Sequence, residues 1–379
     1  MKSIQLINKI ITIVLFAATG CSMEKESPST LKEAFKDFFY MGVAVSRDQI
    51  MGTDTAGIRI IRQHFNSITA ENCMKSKFIQ PAQGEFDFSL ADRFVEFGEE
   101  NGMRIIGHVL IWHSQAPDWF FKDDAGDDVS REVLVSRMQN HISALVGRYR
   151  GRVDGWDVVN EAIEDDGSWR KNKFYEIIGK DYVRLAFEFA HSADPDAELY
   201  YNDYSMAVRE RRNSVVEMVM GLQQEGIRID GIGMQGHLTM DFPTLYEFEK
   251  SIKAFSQLGI QVMITEMDLS ALPRPDGSQG ADLSEFYDNT DDLNPYVNGL
   301  PETVSQAWTQ RYLDFFRIFI RNQDKISRVT IWGVSDGRSW LNNFPIPGRT
   351  DYPLLFDRQY QPKPLVDLLI REAGLGQEE

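Results

Sequence analysis

Short apolar runs that stop at polar residues alternate along this chain with longer stretches of helical spacing. The runs are Tyr40–Val45, Ser67–Ala70, Arg104–Leu110, Val153–Val159, Glu198–Tyr201, Gly231–Met234, Val262–Thr265 and Val329–Ile331. Each has the near-continuous apolar character of a strand buried on both faces of a parallel sheet. Between them, Leu134, Met138, Ile142 and Leu145 recur at helical intervals, as do Val304, Trp308, Tyr312, Phe315 and Phe319. Eight strand–helix units within 379 residues predict an α/β fold, a (β/α)8 TIM barrel forming a single catalytic domain. A doubly wound open sheet is the alternative, but no Gly-rich phosphate turn follows the first strand. No Pro/Gly/Ser-rich linker divides the chain after Leu31.

Barrel chemistry is built at the carboxyl ends of the strands. Trp156-Asp157-Val158-Val159 ends in Asn160-Glu161, and Val262-Met263-Ile264-Thr265 ends in Glu266. The other ends contribute Glu71, Asn72 and Lys75; His108, Trp112, His113 and Gln115; Asn202, Asp203 and Tyr204; Gln235 and His237; Asp268; and Trp332 and Trp340. A polar residue at one strand end is ordinarily a surface group or a satisfied core group. Polar ends on most of the strands at once point to one cleft. Ala271 to Pro301, rich in Pro, Asp, Asn and Gly, is the longest irregular stretch and would lie on the same face as Glu266.

The residue types narrow the chemistry. Carboxylates, amides and Lys can bind sugar hydroxyls, and Trp faces stack on sugar rings. His108, His113 and His237 lack the helical spacing of a zinc protease, and there is no Cys cluster, so metal catalysis is not expected. No Gly-x-Ser-x-Gly elbow is present. Two carboxylates from different strands suit glycosidic bond cleavage, one protonated as acid and one ionised as base or nucleophile.

Composition adds limits. The net charge is −17 with no long basic run, which argues against a nucleic-acid partner. Hydrophobic residues make up 42%, enough for a sizeable core. Only two cysteines occur, Cys21 and Cys73. Lys2 and Lys9, the apolar run from Ile10 to Ala18, and Thr19-Gly20 before Cys21 describe a secretory signal over residues 1–20. Ala18-Thr19-Gly20-Cys21 resembles a bacterial lipobox, which implies lipidation at Cys21, a polar tether over residues 21–30, and a catalytic domain over residues 31–379. The expected location is the cell envelope, with membrane contact only through the anchor. Cys73 is then expected to be a buried free thiol.

The chain resembles an endo-β-1,4-xylanase of glycoside hydrolase family 10. The blocks that carry the resemblance are Glu71-Asn72-x-Met74-Lys75, Gly107 to Gln115, Trp156 to Ala162, Tyr201 to Tyr204, Gly231 to His237, Ile264 to Asp268 and Ile331 to Asp336, in family order. The resemblance implies hydrolysis of xylan by a retaining double displacement, with Glu161 as acid/base and Glu266 as nucleophile, and with no cofactor or metal in the chemistry. Asn160 would hold the sugar 2-hydroxyl and help position Glu266. His237 would bond Glu266, supported by Asp268. Glu71, Asn72, Lys75, His108 and Gln235 would bind glycone hydroxyls between walls of Trp112, Trp332 and Trp340, with Gln115 in the same substrate-binding set. Asn202 and Tyr204 would lie toward the leaving group. Many members carry an aromatic residue where this chain has Ser76, which leaves the packing around Lys75 open. A β-glucan or cellulose hydrolase and a non-catalytic polysaccharide-binding lipoprotein are the competing readings.

Overall fold

The structure, a computed structural model, describes residues 28–275 and 286–376. The expected signal, Cys21 with the lipidation expected of it, most of the expected tether and part of the 271–301 loop lie outside the described residues.

Nine strands are present: β1 (Tyr40–Val45), β2 (Ser67–Ala70), β3 (Arg104–Trp112), β4 (Gly155–Asn160), β5 (Glu198–Asp203), β6 (Gly231–Met234), β7 (His237–Thr239), β8 (Gln261–Ser270) and β9 (Ile326–Ile331). Eight of them pair in parallel around a closed ring, with β6 bonded to β8 and β9 back to β1. The short β7 pairs only with the outer end of β8, setting His237 level with Asp268. This is the expected (β/α)8 barrel, with β7 added at its mouth.

Each expected strand is found, but β3, β5 and β8 run further toward the mouth than their apolar runs. Trp112, Asn202, Asp203, Glu266 and Asp268 lie inside strands. Their backbone groups stay paired with the neighbouring strands, so polarity of the side chain does not end the strand there. The helical stripes also fold as expected. Leu134, Met138, Ile142 and Leu145 are buried on the helix Arg131–Arg148, which Ser130 caps by accepting from Val133 N. Trp308, Tyr312, Phe315 and Phe319 are buried on the helix Glu302–Arg321.

Close packing between strand and helix layers fixes some residue types. Trp156 is fully buried outside the barrel wall, over Gly107 on the next strand; any Cβ at Gly107 would overlap its ring. Burying an indole of that size stabilises the fold by about 4 kcal/mol or more, and only Gly107 admits it.

Candidate active site

Glu161 follows β4 with a positive φ of 60°. A left-handed conformation costs a non-Gly residue about 1–2 kcal/mol. Backbone bonds offset that cost: Glu161 N donates to Asn202 O at 3.0 Å, and Arg170 Nε donates to Glu161 O at 3.1 Å. The turn aims the carboxyl back across the mouth. There Trp112 Nε1 donates to Oε2 at 2.8 Å, while Asn160 Nδ2 and Gln235 Nε2 each donate to Oε1 at 3.0 Å.

Glu266 enters from β8. Asn202 Nδ2 donates to its Oε1 at 2.8 Å, and His237 Nε2 stands 3.4 Å from its Oε2. His237 Nδ1 lies 3.0 Å from Asp268 Oδ1, and Trp340 Nε1 donates to Asp268 Oδ2 at 2.7 Å. One amide ties the two carboxylates together: Asn160 Oδ1 accepts from Asn202 at 3.0 Å and from Gln235 at 3.2 Å.

The two carboxyls ionise differently. Burial, then the nearby Asp203 charge, push Glu161 up to about 7, against the opposing hydrogen bonds from Gln235 and Trp112. Burial also acts to raise Glu266, but the His237 hydrogen bond, the His108 and His237 charges and Lys75 outweigh it and leave Glu266 below the usual glutamate value. Burial opposes the charge on His237, yet Asp268 and Glu266 together raise it to about 10. At neutral pH His237 is a cation between two carboxylates, and Glu161, near the midpoint of its titration and protonated below it, faces an ionised Glu266.

The cleft, open to solvent, has about 590 Å³ of free space at its mouth and is lined by Glu71, Asn72, Lys75, His108, Trp112, Gln115, Asn160, Glu161, Gln235, His237, Glu266, Trp332 and Trp340. Lys75 Nζ donates to Asn72 Oδ1 at 3.0 Å and lies 4.9 Å from the Trp112 ring centre. The edge of His108 meets the Trp332 ring at 5.4 Å. Trp340 stacks on Phe344 at 4.7 Å.

Three expected placements differ. Asn202 is fully buried behind the carboxylates, where it takes the contact to Glu266 expected of Asn160. Asn160 bears on Glu266 only through Asn202, whose amide it accepts at 3.0 Å, and its own amide donates to its neighbour Glu161. Tyr204 is buried, with its hydroxyl accepting from Arg170 Nη2 at 2.5 Å and the Arg211 guanidinium 4.1 Å from its ring centre. It is not among the residues lining the cleft, and the two guanidinium groups hold its hydroxyl and its ring. At the departure from the family pattern, Ser76 Oγ sits 3.3 Å from Leu110 O and 3.3 Å from His141 Nε2, and Lys75 keeps its place in the cleft.

Sequence reading missed Arg170 and Thr265. Arg170 holds the Glu161 carbonyl and pairs with Glu164 at 3.0 Å; Thr265 Oγ1 donates to Asn202 Oδ1 at 2.6 Å. Neither stands out by spacing. Arg170 sits inside a polar loop stretch, between Trp169 and Lys171, and Thr265 reads as an ordinary strand residue. Among the described residues no group of three or more His, Cys, Asp or Glu is placed to hold a metal ion.

A closed parallel barrel with an acid carboxyl and an ionised carboxylate facing each other at its mouth defines a glycosidase-type site. The model of glycosyl hydrolase family 10 matches residues 30–371, and the chain belongs to that family. It is 48% identical over 346 residues to endo-1,4-beta-xylanase A of Xylanibacter ruminicola, covering 91% of this chain and 94% of that protein. The endo-1,4-beta-xylanase of Geobacillus stearothermophilus is 40% identical, over 88% of this chain and 96% of its own. A solved family 10 endoxylanase from a sugarcane soil metagenome superposes with a TM-score of 0.88 at 43% identity, covering 90% of this chain and 99% of that one.

Proposed function

We propose that this protein is an endo-β-1,4-xylanase that cleaves internal xylosidic bonds of xylan with retention of configuration. Glu266 attacks the anomeric carbon while Glu161 gives its proton to the departing glycosidic oxygen. A covalent glycosyl-enzyme results. Glu161, now ionised, takes a proton from water, which attacks the same carbon and releases Glu266. The split ionisation of two carboxyls joined by one amide relay supports a proton donor at Glu161 and an ionised partner at Glu266, and membership of family 10 supports retention. Lys75, Asn72 and His108 are arranged to hold glycone hydroxyls. Trp332 and Trp340 wall the pocket, and we assign them the exclusion of a 6-hydroxymethyl group, which favours xylan over β-glucan or cellulose.

The test is product analysis on xylan and cellulose with anomeric NMR. The β-anomer should form first from xylan, and cellulose should stay intact. Glu266→Ala should release no reducing ends from xylan. Glu161→Ala should keep part of its activity on aryl xylosides with activated leaving groups. Full activity in Glu266→Ala would end the assignment.

We further propose that the chain is exported and anchored in the cell envelope through a lipid on Cys21. Incorporation of a labelled fatty acid that Cys21→Ala abolishes is the expected result; equal soluble release of both forms would contradict it.

A further inference from the structure

The floor of the barrel holds charge that the hydrolysis does not use. Strand register places Thr330 level with Gly42, Gly42 level with Ser67, and Asp157 level with His108 and Tyr200. Glycines make room on this inner face. A Cβ at Gly42 would lie 2.5 Å from Thr330 Oγ1, and one at Gly155 would lie 2.5 Å from the Tyr200 hydroxyl. The Thr330 and Tyr200 side chains take up that room, and Arg328, on the same inner face, is 2% exposed. Its Nη1 donates to Thr69 Oγ1 at 3.3 Å, and its guanidinium stands 5.8 Å from the Tyr200 ring centre. Arg328 Nη2, Asp157 Oδ1, Thr330 Oγ1 and Ser67 Oγ are all buried without a protein partner.

A buried guanidinium with so few bonds is costly unless an anion answers it. Glu198 is already paired with Arg104 at 2.7 Å, which leaves Asp157 as the anion facing Arg328. Unpartnered polar atoms buried on one inner face are where ordered water sits. The second oxygen of Asp157 takes His108 Nδ1 at 2.9 Å, and His108 faces the cleft.

We propose that Arg328 is a positioning residue for the sugar pocket. Through ordered water between its Nη2 and Asp157 Oδ1, it holds Asp157 as the anion that fixes His108 Nδ1–H and leaves Nε2 for the sugar. The effect on the sugar rests on the reading of His108 as a ligand of a xylose hydroxyl; the link from Arg328 to His108 does not.

The experiment uses Arg328→Met, which keeps length and removes charge, and Arg328→Lys, which keeps charge. Steady-state kinetics on an aryl xylobioside are combined with 15N NMR of the His108 imidazole. Arg328→Met should raise KM about tenfold, the size of one lost charge-assisted hydrogen bond, with a smaller change in kcat. It should also move the His108 resonances toward tautomer averaging, and Arg328→Lys should restore most of both. On an Asp157→Asn background, Arg328→Met should add nothing to KM. A packing role alone would lower the melting temperature and leave KM and the His108 resonances unchanged, which would overturn the proposal. Should Arg328→Met not fold, the double variant Arg328→Met/Asp157→Asn removes both buried charges. Restored folding would support the pairing, and continued failure would count against it. The NMR measurement needs no substrate, so it stands apart from hydrolysis of xylan by the unaltered enzyme, which decides the reading of the pocket.

Discussion

Trp112→Phe should move the alkaline limb of the pH–rate profile upward. In the folded protein the Trp112 indole donates to Glu161 Oε2 at 2.8 Å, and this bond favours the ionised carboxyl. A hydrogen bond to a charged acceptor contributes about 1.5 kcal/mol, and one pH unit corresponds to about 1.4 kcal/mol. Removing the donor should therefore raise Glu161 from about 7 to about 8. Glu161 works as an acid, so kcat/KM falls as pH rises through its pKa. The limb should shift by about one unit toward alkali. Phenylalanine keeps an aromatic wall under Lys75, whose ammonium lies 4.9 Å from the Trp112 ring centre. The plateau should drop from altered sugar contacts, but the limb reads the acid alone. The assay is kcat/KM on an aryl xylobioside from pH 4 to 10. A limb that stays in place, or moves toward acid, would show that Trp112 does not stabilise the Glu161 carboxylate.

Other outcomes follow from the same structure. Burial holds His141 down to about 4 against an ordinary 6.5. The unfolded chain then binds the proton first as pH falls, so stability should be lost between about pH 6.5 and 4, by up to about 3 kcal/mol; thermal melts of His141→Asn should have a flatter pH dependence in that window than the parent. Gly233→Ala would press a Cβ to 2.7 Å from Thr265 Cγ2 and into the Asn202 amide. Because Asn202 holds Glu266, kcat on xylan should fall by about tenfold or more, while an unchanged kcat would show that the amide can shift freely. Burial raises the Cys73 thiol to about 12, so it should resist a thiol reagent at pH 8 in the native protein and react only after denaturation.

The barrel was legible because each strand core is an apolar run and each helix carries a buried stripe. The run ends were less legible. Asn202 and Asp268 lie within strands because their side chains turn into the mouth, where polarity serves the site. The strand β7 was not legible at all, since His237-Leu238-Thr239 is too short to show a period and forms only against the overhanging end of β8. The two catalytic carboxylates could be found from strand ends alone. Their amide partners could not be assigned, because Asn160 and Asn202 are alike in sequence and only the closed barrel decides which amide faces which glutamate. Arg328 carried no signal, since a charge within a strand reads as an outward-facing residue until the inner face is known.

The amide relay limits how this enzyme's working pH can be retuned. Asn160 Oδ1 receives both Asn202, which carries Glu266, and Gln235, which carries Glu161. A substitution that re-orients one amide to adjust the proton donor will disturb the grip on the nucleophile. Variants with a displaced pH optimum are therefore best sought at groups linked to only one of the pair, such as Trp112, which donates to Glu161, and Trp340, which reaches Glu266 only through Asp268 and His237. Changes among the shared amides should move both limbs together and cost turnover.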